Sequence, residues 1–210
     1  MTRRSSKNIN PNRPATHKGR GRQNTGTPGF VRIIGGRWRG RKLPVTNVEG
    51  LRPTTDRVKE TVFNWLMSDI YQARCMDVFA GSGSLGLEAL SRQAGFVTLV
   101  EKDPVAARQL TQNLQTLAAK DVNVVNQDAL AVLKQQGEPQ DIVFVDPPFR
   151  KDLLQEVFSS LEQNGWLTVG SLIYVECEKE LAELPTPTSW SMFKEKTAGQ
   201  VTFRLYVKEG

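Results

Sequence analysis

A chain of 210 residues with 39% apolar content has room for one ordinary globular domain and a few tens of residues of appendage. Its single histidine, His17, and its two cysteines, Cys75 and Cys177, exclude Ser-His-Asp and Cys-His catalysis, histidine-metal centres and a disulfide framework, so no metal is expected. No 18-residue apolar run is present and no signal-peptide-like stretch follows the basic N-terminus, so a cytoplasmic protein without a membrane span is expected.

The net charge of +6 is segregated. Residues 1–28 hold seven Lys or Arg and no acid, residues 29–60 hold eight against three acids, and residues 61–210 hold thirteen against nineteen. Residues 1–28 carry almost no large apolar side chains, cannot bury enough surface to offset ordering entropy, and read as a disordered basic tail. A basic end on an acidic body suits a polyanionic partner, although a tail that only aids solubility has the same composition.

From Phe30 the character changes. Val31, Ile33 and Ile34 lead into Gly35-Gly36, and Trp38 and Leu43 then alternate with Arg37, Arg39, Arg41 and Lys42. A Gly-Gly turn between β-prone runs predicts a hairpin within residues 29–50. With Arg32, its cations and Trp38 suit phosphate contact and base stacking; a cationic edge that merely discourages sheet pairing is the alternative.

Residues 51–210 read as the main domain. Leu51 to Thr55 turns at Pro53, and Thr54 or Thr55 can cap a helix that has Asp56 in its first turn and Val58, Val62, Trp65 and Leu66 on its apolar face. Met76 to Gly86 then reads as strand, tight turn and helix start. Gly81 and Gly83 let the backbone turn and a ligand approach its amides, and Gly86 lets the helix pack close to the strand. Such a glycine pattern also occurs in purely structural turns. Glu101, twenty residues after Gly81, ends the next apolar run, Val97 to Val100, where a carboxylate can accept both hydroxyls of a ribose.

Pro104 fits the first turn of a helix with Ala107, Leu110, Leu114 and Leu117 on one face. Val122 to Val125 is a strand ending near Asn126 and Asp128, and Ile142 to Val145 is the next, ending at Asp146. Leu153 to Leu161 is helical, Leu172 to Val175 is a fifth strand, and Val201 to Val207 is a late strand that returns after Gly199. In an open parallel sheet, ligands bind at the carboxyl ends of the strands, so Asp77, Glu101, Asp128 and Asp146 should line one rim, although any one of them could be a helix cap.

Such a sheet could hold a nicotinamide cofactor, but a dehydrogenase would also need a proton donor at the substrate. Asp146-Pro147-Pro148-Phe149 is more informative. Consecutive prolines fix φ and remove two donors, so the turn can present carbonyl oxygens outward. The Asp146 carboxylate and the Pro147 carbonyl then offer two acceptors to an exocyclic amine, and Phe149 offers a flat face to its ring.

Here the sequence resembles the class I S-adenosylmethionine-dependent amino methyltransferases, whose amine-methylating members carry (D/N)-P-P-(F/Y/W). RIIGGRWRGRKL (32–43), LRPTTDRVKETVFNWL (51–66), DVFAGSGSLGLEAL (77–90) and FVDPPFR (144–150) resemble, more narrowly, the RsmD family of bacterial 16S ribosomal RNA guanine-N2 methyltransferases. The resemblance spans about residues 30–208 and leaves the tail outside. It implies an α/β, Rossmann-like fold whose seven-stranded sheet has order 3-2-1-4-5-7-6 with strand 7 antiparallel, extended by the N-terminal hairpin. It also implies S-adenosylmethionine as cofactor and, as substrate, the guanine conventionally numbered 966, in 16S rRNA or the assembled small subunit; a monomer is expected, though no residue pattern bears on oligomeric state.

On that resemblance Asp77, Phe79, Gly81 and Gly83 would border the methionine end of the cofactor, Glu101 its ribose, and Asp128 with the Ala129 amide its adenine. Arg52, Thr54 and Thr55 would reach the methionine carboxylate. Asp146, Pro147 and Phe149 would hold the target base. A DNA adenine-N6 methyltransferase and a non-catalytic RNA-binding module of the same fold are the alternatives, because the Asp146 turn alone does not separate guanine from adenine.

Overall fold

The computed structural model describes residue 1 and residues 29–46, 55–149, 152–181 and 183–210. The expected tail, and the positions of Arg52 and Thr54, lie outside the described residues.

Two strands, β1 (Gly29–Arg32) and β2 (Lys42–Val45), form an antiparallel hairpin with Arg32 opposite Lys42. The hairpin is present, but Gly35-Gly36 is not its two-residue turn. The connection runs through a 3-10 turn at Gly36–Trp38 and is closed by Ile33 N–H to Arg41 O (2.9 Å) and Gly40 N–H to Ile33 O (2.8 Å). Both a left-handed backbone and close approach to another element require Gly36. Its φ is +71°, and a Cβ there would collide with the backbone carbonyl of Ser91.

Helix α1 (Asp56–Trp65) follows, with Thr55 as its cap: the Thr55 hydroxyl accepts from Val58 N–H at 3.4 Å. A seven-stranded sheet is then built from β3 (Arg74–Asp77), β4 (Phe96–Val100), β5 (Val122–Val125), β6 (Gln140–Val145), β7 (Leu167–Glu178), β8 (Trp190–Ala198) and β9 (Val201–Lys208). Its order is β5-β4-β3-β6-β7-β9-β8, which, numbered within this sheet alone, is 3-2-1-4-5-7-6. The first five strands pair in parallel, and β9 runs antiparallel to both β7 and β8. Helices α2 (Ser84–Ser91), α3 (Pro104–Thr116), α4 (Ala129–Leu133) and α5 (Leu154–Gln163) complete the fold.

Alternation of side chains divides the core into two layers. One face of the sheet packs Cys75, Leu99, Ile142, Phe144, Tyr174 and Phe203 against α1, α2, α3 and the hairpin. The opposite face packs Met76, Val100, Val143, Val145 and Val175 against α4 and α5. Val31, Ile33 and Leu43 of the hairpin are buried in the first layer, each contributing about 1.5–3 kcal/mol. Helix α1 is covered from two sides, which buries Phe63 in addition to the apolar stripe expected from spacing and leaves Trp65 half-buried against Phe203. Among the described residues, no helix is long and apolar enough to cross a membrane.

Strand β8, the sixth of the seven strands that the resemblance implies, is located by no residue pattern in the sequence. Its central residues, Ser191 to Thr197, are exposed and mix Met192 and Phe193 with charged residues, so an edge strand carries no apolar alternation to announce it.

Candidate active site

The carboxyl ends of β3, β4 and β6 meet at the sheet centre, where β3 is flanked by β4 on one side and β6 on the other. Asp77 ends β3. It is 2% exposed, and its Oδ2 accepts from Gly86 N–H at 3.0 Å, so it anchors the first turn of α2 from inside. Burial pushes its carboxyl up to about 7, helped by the charge of Glu101 and opposed by the amides of Gly86 and Phe79. Asp77 therefore holds the glycine loop from behind and is not an open group on its surface.

The glycines divide by role. Gly81 is half-buried with φ +53°, and its N–H donates to Glu101 Oε2 at 2.8 Å. Gly83 is buried, has φ +77°, and would, with a Cβ, strike the side chains of Leu110 and Leu87, so its small size also serves helix packing. A Cβ at Gly86 would collide with Leu99, the close helix–strand approach expected for it.

Glu101 follows β4 and is half-buried. Besides Gly81, it accepts from Asp103 N–H at 2.6 Å through Oε1, which ties the ends of β3 and β4 together and fixes the carboxylate at the rim. Asp128 caps α4, accepting from Leu130 N–H (3.0 Å) and Ala131 N–H (3.4 Å), and pairs with Lys102 at 3.2 Å. Burial would raise its pKa, but Lys102 and the cap amides outweigh it and hold the carboxyl below its ordinary value. Ala129 is the first residue of that helix and is buried.

The turn after β6 leaves Asp146 and Phe149 half-buried, Pro147 buried and Pro148 exposed. Phe79 of the glycine loop is also half-buried. The β3–β6 register sets Asp77 opposite Phe144, so the Asp146 turn rises just beyond the glycine loop.

The cationic hairpin is only partly a free surface. Arg37, Arg39, Arg41 and Lys42 are exposed. Arg32, by contrast, is ion-paired with Asp56 and donates to it through Nε at 2.8 Å. Trp38 is half-buried with its side chain packed against the core, its backbone N–H donates to Ser91 Oγ at 3.0 Å, and the Arg37 guanidinium lies 3.9 Å from its ring centroid. The indole thus helps dock the hairpin and is covered on one side, which corrects its reading as an open stacking platform.

The family profile described as "Conserved hypothetical protein 95" matches residues 31–207. The chain is 58% identical over 181 residues to Ribosomal RNA small subunit methyltransferase D of Escherichia coli K12, covering 86% of this chain and 91% of that protein. The chain belongs to the RsmD family. The protein of the same name from Haemophilus influenzae is 56% identical over 188 residues, covering 88% and 97% of the two chains. The solved structure of yhhF from Escherichia coli superposes with a TM-score of 0.82 at 55% identity, covering 86% of this chain and 99% of that one.

A nucleoside-type cofactor with a charged amino-acid end suits the groups at this rim. Asp77 Oδ1 and Ser84 Oγ, on either side of the glycine loop, are buried without a hydrogen-bond partner among the described residues. Glu101 adds a fixed, half-exposed carboxylate one strand away. Among the described residues, no group of three or more His, Cys, Asp or Glu is placed to hold a metal.

Several functional contacts were not visible in the sequence. Glu88 is fully buried in α2, pairs with Arg92 at 2.8 Å and accepts Ile34 N–H at 2.8 Å. Ser91 donates to Gly35 O at 2.6 Å. Lys59, 1% exposed, donates to Arg32 O; burial lowers its pKa, and Glu88 and Asp56 oppose the shift. The sequence reading singles out none of the three, because the hairpin that engages them is distant in sequence.

Proposed function

We propose that the chain transfers a methyl group from S-adenosylmethionine to the exocyclic N2 amine of a guanine in 16S ribosomal RNA, by resemblance guanine 966. The observation that carries this reading is the half-exposed Asp146 turn at the sheet centre, beside the glycine loop and Glu101. The relatives' name, a small-subunit ribosomal RNA methyltransferase, supports the substrate class.

When bound, S-adenosylmethionine supplies an electrophilic sulfonium methyl group. Glu101 would accept the ribose hydroxyls while it keeps Gly81 in place, and Asp128 with the Ala129 amide would border the adenine. The loop residues Phe79, Gly81 and Gly83, braced by Asp77, would border the methionine end, and Arg52, Thr54 and Thr55 would reach its carboxylate.

The target amine is a poor nucleophile because its lone pair is delocalised into the base. Asp146 and the Pro147 carbonyl accept its two N–H groups and favour a more tetrahedral nitrogen, while in-line positioning supplies most of the remaining acceleration. The bound cofactor would supply the methyl group and keep its sulfur as the leaving group, and Asp146 or water would take the surplus proton from nitrogen. The base must first leave its stack, which costs a few kcal/mol, and stacking on Phe149 returns about 1–3 kcal/mol. Arg37, Arg39, Arg41 and Lys42 would hold the surrounding phosphates.

The test is methyl transfer from labelled cofactor to small-subunit particles, free 16S rRNA and DNA, followed by nucleoside analysis. Label in N2-methylguanosine of the rRNA is the expected result. Label in N6-methyladenine of DNA, or no cofactor binding at all, would replace this reading with one of the two alternatives.

A further inference from the structure

The sheet edge formed by β8 carries groups that the reaction above does not use. Ser191 to Thr197 are exposed, and among them Phe193 is a large aromatic side chain at 59% exposure. Pairing with β9 slips between Met192, opposite Tyr206, and Lys194, opposite Leu205, so Phe193 is the extra residue of a bulge. A bulge bends an edge strand and re-aims its side chains.

Residues paired directly across two strands share a face of the sheet. Lys194 and Lys196 stand opposite Leu205 and Phe203, which belong to the core layer beneath α1, α2 and the hairpin, so both lysines lie on the hairpin's face of the sheet. Glu195, between them, stands opposite Arg204 on the other face and is ion-paired with it. Among the described residues neither lysine has a carboxylate partner, and the Lys194 ammonium lies 5.0 Å from the centroid of the Phe193 ring.

Strand β8 runs parallel to β7, because both are antiparallel to β9, and Ala198 pairs with Val201, which pairs with Glu178. Its carboxyl end therefore reaches the same rim as the Asp146 turn, with Lys196 two residues below. In the order β6-β7-β9-β8 the edge stands three strand spacings from β6, about 14 Å at about 4.8 Å each. The hairpin packs on α2 and α3, which cover β3, β4 and β5 on the other side. The Asp146 turn thus lies between two cationic surfaces that look the same way.

Lysines and a bulge on an edge strand can serve only to prevent sheet pairing. That role gives no reason for an aromatic ring to stand in solvent. A second copy is a poor occupant: antiparallel pairing centred on Lys194 or Lys196 sets lysine against lysine, and pairing centred on Glu195 sets Glu195 against itself and Lys194 against Lys196. A single-stranded nucleic acid uses every group, because phosphates meet the lysines and a base stacks on the ring.

We propose that the β8 edge is a second RNA-binding surface, on which Phe193 stacks against an unpaired base and Lys194 and Lys196 hold the adjoining phosphates, so that the hairpin and β8 grip the RNA on either side of the Asp146 turn. The proposal rests on the ribosomal RNA reading above and adds a contact to it.

The experiment uses the full chain with free 16S rRNA and small-subunit particles, measuring binding across a range of salt concentrations and methyl transfer on the same substrates. The double variant Lys194→Gln, Lys196→Gln is expected to lower the log–log salt slope by about 1.4, roughly 0.7 for each single-strand phosphate contact. Phe193→Ala is expected to weaken binding about fivefold or more at every salt concentration while the slope holds. Phe193→Tyr keeps the ring and should bind like the wild type; Phe193→Leu keeps apolar bulk without the ring and should behave like Phe193→Ala. Cofactor affinity and melting temperature should hold throughout.

An unchanged salt slope in the lysine variant would reduce β8 to a protected edge and overturn the inference. Full affinity in Phe193→Leu would mean an apolar protein contact, and a wild-type dimer dispersed by Phe193→Ala would mean a second copy; either overturns it as well. Should Phe193→Ala fail to fold, the slope of the lysine variant decides alone. A wild type that binds cofactor but leaves rRNA unmethylated would overturn the reaction itself, a result distinct from an unchanged slope.

Discussion

The hairpin contact and the strand-end rim both carry glycines, charges and aromatic residues, yet they use them oppositely. At the hairpin, polar groups are consumed inside the protein: Ile34 N–H by Glu88, Trp38 N–H and Gly35 O by Ser91, and Arg32 O by Lys59. At the rim, Glu101, Asp128, Asp146 and Phe149 remain half-exposed. A substitution in the first region should therefore cost stability, and one in the second should cost activity.

Gly36→Ala should break the hairpin side hardest. The added methyl meets the Ser91 carbonyl at a positive φ, and relief requires the hairpin to lift from α2, at a cost of about 3 kcal/mol or more. Gly40→Ala is its control: φ is +84° but no atom lies within 4 Å, so only the left-handed strain of about 1–2 kcal/mol remains. Denaturant unfolding of the two variants should show that gap; equal losses would mean that the hairpin is not seated on Ser91.

Asp146→Ala should break the rim side without touching the fold. It removes one acceptor for the target amine, so single-turnover methyl transfer should fall by about 10²-fold while cofactor affinity and the melting temperature hold. A native rate would reduce the turn to a proline-rich strand terminator.

Asp77 sharpens the boundary, because it sits at the rim but is buried like a hairpin residue. Its carboxyl holds a proton up to about pH 7 in the folded protein, against an ordinary value of 3.8. Between those two values the folded state binds more protons than the unfolded state. The stability that Asp77 contributes is thus complete below about pH 4 and is lost as pH rises through 7. Asp77→Asn should remove that slope, a difference of about 2 kcal/mol between pH 5 and 7, read from urea unfolding at each pH. Parallel curves for the two proteins would place the Asp77 carboxylate in a more polar setting than its burial indicates.

The smallest effect belongs to Arg32. Its ion pair with Asp56 joins two exposed side chains, so Arg32→Ala should cost under about 1 kcal/mol of stability. Because that cation is engaged, its loss should change the salt dependence of RNA binding less than Arg39→Ala, which should remove roughly 0.7 from the log–log slope if it contacts one phosphate. The reverse ranking would return Arg32 to the RNA face.

The parts legible from the chain are those written in adjacent residues. Glycine spacing, apolar runs ending in Asp77, Glu101 and Asp146, the Thr55 cap and the proline turn each encode local geometry, and together they imply an α/β sheet with an acidic rim. Which side of that geometry a residue serves was decided only by packing. Gly36 and Gly83 read as turn and ligand glycines, and only packing adds that their missing side chains make room for Ser91 and Leu110. Glu88 and Lys59 carry no local signal for the contacts that a hairpin distant in sequence makes with them. Strand β8, exposed along its middle, had no alternation to read. The pairing of Phe144 with Tyr174 and of Val145 with Val175 depends on strand register, a relation between segments thirty residues apart that no local pattern contains. Sequence thus determines which chemistries are present and where the chain turns, because those depend on neighbours along the backbone; burial, charge state and the company each carboxylate keeps depend on neighbours in space.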